Sequence, residues 1–235
     1  PGLKVELHTC LWNDVQAFHF TDADFDILRR AMPDLTVVVH DNESSFLEQA
    51  EQVEAVLAWD FKAAWYQQFK HLKWIMTPAA GKDWVEPHPL GKVKIVHGTF
   101  HGKLLSESLL SALLFMNHQM PQMVDNFQQH AWNRNIQGQS RLLSDQTVMI
   151  IGFGHIAQDC ARLLGCMGTR VIGISRSATP VSFGAEVYGP ELLDDRLPEA
   201  DHVVLLLPGG HETDRFMDER RLALCKKGAF IYNFG

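Results

Sequence analysis

Short apolar runs separated by amphipathic stretches recur along the whole chain. In the first hundred residues, "LKVELH" (3–8), "LTVVVH" (35–40), "AVLAWD" (55–60), "KWIMTP" (73–78) and "VKIVHG" (93–98) have strand length and strand character. Between the first two, "TDADFDILRRAM" (21–32) repeats Phe25, Leu28 and Met32 at spacings of three and four, as on one helical face. It opens on Thr21 with Asp24 three residues on, a capping-box start. "SSFLEQAEQ" begins with serines suited to N-capping. Residues 103–131 read as helical, interrupted at Pro121, and "LLSESLLSALLFMNHQM" there is apolar around much of its circumference. Such a helix is expected in a core or between subunits. After the polar "NRNIQGQSRLLSDQ" the alternation resumes with "TVMIIG" (147–152), "RVIGIS" (170–175), "AEVYG" (185–189), "HVVLLL" (202–207) and "AFIYNF" (229–234). Helices between short apolar strands imply parallel sheets covered on both faces. The pattern predicts an α/β protein of two units, 1–100 and 101–235, without internal repeats.

One strand runs into a turn with chemical promise. In "VMIIGFGHIAQDCARLL" (148–164), Gly152, Gly154 and Ala157 follow G-x-G-x-x-G/A, with a strand before and a helix after. Each small residue has its own reason: Gly152 for the tight turn, Gly154 for backbone approach to a pyrophosphate, Ala157 for close helix–strand packing. The N–H groups and positive dipole end of the helix, from His155 and Ile156 on, would face the phosphates. The second strand ends at Ser175-Arg176-Ser177 with no carboxylate. An NAD site usually has Asp or Glu there for the ribose 2′-hydroxyl. Arg176 between two hydroxyls suits a 2′-phosphate instead, so NADP(H) is expected to be preferred, with NAD(H) as the other cofactor. A solvated surface arginine is the alternative.

Composition narrows the classes. A net charge of −7 and a pI near 5.9 argue against a nucleic-acid or anionic-membrane surface. No window approaches the ~18 consecutive apolar residues of a membrane span, and the N-terminus has no signal-peptide core. The four cysteines form no C-x-x-C pair, which suggests a reducing cytoplasm and no disulfide framework. Of the twelve histidines only His97 and His101 stand four apart, and two neighbouring glycines argue against a helix presenting both to one metal ion.

Several segments in order resemble the D-2-hydroxyacid dehydrogenases, particularly the glyoxylate/hydroxypyruvate reductase-like branch. They are "KLLSESLLSALL" with Ser106-Glu107, "FQQHAWNR", the glycine turn, "HVVLLLPGGHET" and "LALCKKGAFIYNFG". The resemblance implies a flavodoxin-like substrate domain over 1–100 and an NAD(P)-binding Rossmann domain over 101–235, a doubly wound parallel sheet incomplete at its C-terminal end. It implies hydride transfer between NADP(H) and a small 2-keto or D-2-hydroxy acid. Leu207, Pro208 and Thr213 join the cofactor residues by the same resemblance, and the substrate carboxylate would meet the loop at Ala80, Gly81 and Lys82. Ala79 departs from the family's usual glycine, and a plain loop is the other reading. Trp59 either walls the pocket or belongs to the core.

The family's catalytic arginine, glutamate and histidine would follow Asn233-Phe234-Gly235, so no catalytic residue is assigned within 1–235 and the natural chain is expected to continue. A non-catalytic dinucleotide sensor or scaffold is the alternative, and a methyltransferase using the glycine turn a weaker third reading. The apolar helix 104–116 suggests a homodimer.

Overall fold

The computed structural model describes residues 5–235, and of Val5, Ala17 and Gln137 the backbone alone. The chain divides into two compact units, Pro1–Thr99 and Phe100–Gly235.

In the first unit, β1 (Val5–Cys10), α1 (Asp22–Ala31), β2 (Leu35–Val39), α2 (Glu43–Glu48), β3 (Ala55–Ala58), β4 (Trp74–Thr77) and β5 (Lys94–His97) follow in chain order. The expected start of the first strand at Leu3 and Lys4 lies outside the described residues. All pairings are parallel, and the sheet order is β2-β1-β3-β4-β5, the flavodoxin-like order. Successive strand residues face opposite sides. Val56 and Ile75 pack with Phe46, Phe61 and Trp65 on one face, while Leu57 and Val37 meet Phe25 and Trp59 on the other.

The α1 start is as the sequence predicts: the Asp24 carboxylate accepts from both the backbone N–H and the hydroxyl of Thr21, each at 2.7 Å. The cap of α2 is not. Asn42 caps it, accepting from Ser45 N at 2.9 Å, and the serines lie inside the first turn. An asparagine two residues earlier reaches the orphan N–H groups equally well.

In the second unit come α3 (His101–Asn117), α4 (Met120–Gln128), β6 (Thr147–Ile151), α5 (His155–Cys166), β7 (Arg170–Ile174), β8 (Glu186–Tyr188), α6 (Leu193–Arg196), β9 (His202–Leu205), α7 (Glu219–Leu224) and β10 (Phe230–Asn233). The sheet is again parallel, in the order β10-β9-β6-β7-β8. Numbered within the unit this is 3-2-1-4-5 read from the far edge, the dinucleotide-fold order. Its three central strands, β9, β6 and β7, are buried on both faces, whereas the edge strands β8 and β10 are only partly covered. Val148 and Ile150 pack against Leu109 and Leu113 of α3 and Leu164 of α5, whereas Met149 and Ile151 pack against Leu193 and Leu197.

The helix expected over 103–131 does break, but at Gln119, whose φ of 54° is left-handed, and not at Pro121. Pro121 occupies the first turn of α4, where its missing N–H has no partner to lose.

Candidate functional site

Strand register sets three chain ends in one row: Ile151 of β6 stands opposite Ile174 of β7 and Leu205 of β9. The segments leaving those strands therefore share the carboxyl edge of the sheet. They carry every site residue that the sequence proposes for this unit.

The glycine turn is held from both sides. Gly152 N and Phe153 N donate to Ile174 O at 3.0 and 2.9 Å, and Gly152 has a φ of +94°. A Cβ there would lie 2.3 Å from Leu206 O, so the turn fits between its neighbours only without a side chain. The Phe153 ring folds back over β7, where a Cβ on Gly173 would come within 2.4 Å of it.

Gly154 differs. It stands at the N-cap of α5 with a φ of −88°, and a Cβ there would enter open space. No side chain caps this helix. Its first internal bond is Gln158 N to Gly154 O at 3.1 Å, and the N–H groups of His155, Ile156 and Ala157 donate to nothing among the described residues. Open space before three N–H groups at the positive end of a helix dipole suits an anion. Ala157 itself is buried in the α5–sheet core, and His155 is exposed.

At the end of β7, Ser175 N donates to Tyr188 O at 2.9 Å, and Ala178 N closes a turn on Ser175 O at 3.2 Å. The Ser175 and Ser177 hydroxyls lie 3.2 Å apart, and Arg176 projects from the tip with its side chain 88% exposed. The charged partner of Arg176 is Glu212, at 3.9 Å, from the loop after β9. In that loop Leu207 is half-buried and Pro208 exposed. The Thr213 hydroxyl lies 2.7 Å from Pro208 O and 3.0 Å from Gly210 O, so it staples its own loop. A cavity of about 670 Å³ opens beside this loop, lined in part by Leu207, Pro208, Thr213 and Phe216.

The proposed substrate loop belongs to the other unit and leaves the carboxyl end of β4. Ala79 is buried and committed, donating to Thr77 Oγ1 at 3.1 Å and accepting from Gly98 N at 3.0 Å. The N–H groups of Ala80, Gly81 and Lys82 have no partner among the described residues. Gly81 has a φ of −66°, which any residue adopts, and Lys82 is exposed. Trp59 resolves as a core residue: it is buried, donates Nε1–H to Phe18 O at 2.9 Å and packs against Trp84.

Residues 110–235 match the family profile described as D-isomer specific 2-hydroxyacid dehydrogenase, NAD binding domain. The chain belongs to the D-isomer specific 2-hydroxyacid dehydrogenase family. A glyoxylate reductase of Thermococcus kodakarensis is 41% identical over 91 residues, covering 37% of this chain and 26% of the relative. A D-isomer specific 2-hydroxyacid dehydrogenase family protein from Aeromonas salmonicida superposes with a TM-score of 0.76 at 25% identity, covering 99% of this chain and 73% of that one. The fold is shared also with an NADPH-dependent glyoxylate/hydroxypyruvate reductase from Sinorhizobium meliloti in complex with NADP and sulfate, with a TM-score of 0.78 at 24% identity, covering 99% and 73% of the two chains. The chain thus spans about a quarter of the length of the curated relative it matches.

In this dehydrogenase sheet, Leu206, Gly173 and Glu212 shape the carboxyl edge without having been legible as site residues. Leu206 and Gly173 meet the glycine turn through strand register, Glu212 meets Arg176 through a side-chain contact between two loops, and no short motif contains both partners. Residues 152–157, 175–177 and 207–213 fit an NAD(P) dinucleotide, with open backbone for phosphates and an exposed guanidinium beyond them.

Proposed function

We propose that the protein is an NADP(H)-preferring oxidoreductase acting on a small 2-keto or D-2-hydroxy acid of the glyoxylate or hydroxypyruvate kind. The observation that carries the cofactor reading is Arg176. It stands exposed one strand away from the glycine turn, at a position with no carboxylate. In this reading Gly152 and Gly154 admit the pyrophosphate, and the N–H groups of His155 and Ile156 hold it. Ser175, Arg176 and Ser177 take the 2′-phosphate, while Leu207, Pro208 and Thr213 border the nucleotide from the β9 side. The bound dinucleotide supplies or accepts the hydride.

The unpartnered N–H groups of Ala80, Gly81 and Lys82, with the Lys82 charge, would bind the substrate carboxylate and orient the carbonyl carbon. The glyoxylate reductase relationship supports this substrate class. No helix of the described residues is long and apolar enough to cross a membrane. Free cysteines fit a cytoplasmic setting. The exposed apolar side chains of α3 and α4 fit a homodimer.

Arg176→Ala tests the cofactor assignment. Loss of charge-assisted bonds to a phosphate should cost about 1.5–3 kcal/mol, roughly ten- to a hundredfold in NADPH dissociation constant. NADH binding should stay nearly unchanged. Equal losses for both nucleotides in fluorescence titrations would remove Arg176 from the 2′-phosphate site.

A further inference from the structure

Two loops flank the glycine turn, one after β7 carrying Arg176 and one after β9 carrying Glu212. Arg176 Nη1 and Glu212 Oε2 lie 3.9 Å apart, with the two side chains 88% and 91% exposed. An ion pair this exposed contributes about 0–1 kcal/mol to stability, so it does not hold the loops together. Its consequence lies in what else the guanidinium can bind. We propose that Glu212 sets the cofactor preference of this site, opposing a 2′-phosphate at Arg176 and accepting a hydrogen bond from a 2′-hydroxyl.

The argument follows from charge and placement. A carboxylate on the guanidinium must give way when a phosphate dianion arrives, and any carboxylate left near repels that dianion. A ribose hydroxyl brings no charge and donates to a carboxylate. NAD sites usually carry this carboxylate at the end of the second strand. Here residues 175–177 lack it, and the loop beyond β9 brings one to the same guanidinium from the opposite side. The site therefore holds one group for each cofactor. Arg176 favours NADP(H), and Glu212 limits that preference and keeps NAD(H) binding in range. The inference rests on the reading of 152–177 as a dinucleotide site with Arg176 at its 2′ end.

The test is Glu212→Gln in the full chain, with NADPH and NADH dissociation constants from fluorescence titration. Removing one charge about 4 Å from the guanidinium in water is worth on the order of 1 kcal/mol, about fivefold. NADPH should bind about three- to fivefold tighter at low salt. The gain should vanish near ~1 M salt, where the screening length is about 3 Å. NADH should bind a few-fold weaker, and Glu212→Lys should move both constants further in the same directions. Unchanged constants in Glu212→Gln, with Arg176→Ala still weakening NADPH selectively, would overturn the role of Glu212 and leave the proposed function standing. Equal losses of NADPH and NADH in Arg176→Ala, or no binding of either nucleotide to the unaltered chain, would overturn both.

Discussion

A methyl group added at Gly152 would meet the Leu206 carbonyl oxygen at 2.3 Å, at a φ of +94°, whereas one added at Gly154 would enter open space. The two substitutions should therefore separate folding from binding. Gly152→Ala combines left-handed strain with a backbone clash and should destabilise the second unit by roughly 2–4 kcal/mol. Gly154→Ala has an ordinary φ and no neighbour. It should leave the urea midpoint nearly unchanged while weakening dinucleotide binding by about tenfold, since the methyl would stand where phosphate approaches. Equal effects on stability from both variants would refute this division. The sequence already marks both glycines, because the G-x-G spacing between strand and helix has few other uses. It cannot show that the obstacle at Gly152 is Leu206, fifty-odd residues on, because only strand pairing brings them together. Nor can it show the contact of Glu212 with Arg176, which arises because two loops leave the same edge of the sheet on either side of β6.

Between elements, the least legible feature is a buried polar cluster at the amino edge of the second sheet. His202 opens β9 in what reads as a plain apolar strand, yet it is fully buried and hydrogen-bonded. Its Nε2 lies 3.0 Å from Gln146 Oε1, which also accepts from Asn117 at the end of α3, and its Nδ1 lies 3.0 Å from the Tyr232 hydroxyl of β10. Donation from Nε2–H to Gln146 and acceptance at Nδ1 from Tyr232 satisfy a neutral ring. Burial pushes its pKa down to about 4, opposed by Asp201 and assisted by Arg141. The unfolded chain would take up a proton near pH ~6.5 while the folded one resists until about pH 4. The resulting stability is complete above pH ~6.5 and is lost as pH falls toward 4, on the order of 3 kcal/mol in all. Urea midpoints of the unaltered chain should fall steeply across this window. His202→Phe, less stable at neutral pH, should show a shallower fall. Part of the slope should persist, because burial also lowers the pKa of His8 and His40 in the first unit. An identical slope in both proteins would show that His202 plays no part. By contrast, the Thr21–Asp24 cap was readable in advance because all its partners lie within one turn.

At the scale of the whole molecule, alternation and strand chemistry announced two α/β units with parallel sheets. Alternation alone did not distinguish the strand orders, since β2-β1-β3-β4-β5 and β10-β9-β6-β7-β8 arise from similar patterns, and it was the family resemblance that implied a flavodoxin-like and a Rossmann sheet. What the apolar helix 104–116 does was only half visible. Leu109 and Leu113 are spent on the core of the second unit, together with residues of α5. Leu104 and Phe115 stay exposed, and so do Met123, Val124, Phe127 and Trp132 just beyond, Phe127 at 81% and Trp132 at 87%. Met123, Phe127 and Trp132 also line a cavity of about 480 Å³. Aromatic and methionine side chains this exposed, so close together in the chain, are typical of interface cores and rare on surfaces that stay in water. A second copy of the chain is the proposed occupant, and a stable pair needs about 800 Å² from each partner. Sedimentation should give twice the chain mass at micromolar concentration. Phe127→Asp, which would bury a charge in the contact, should weaken association at least about a hundredfold, several kcal/mol, and give the single-chain mass. Because Phe127 makes so little contact within its own unit, the melting temperature of the dissociated variant should exceed that of Gly152→Ala. NADPH binding should persist, since the glycine turn lies at the carboxyl edge of the sheet. A single-chain mass for the unaltered protein would remove the homodimer, and a dimer undisturbed by Phe127→Asp would move the contact elsewhere on the surface.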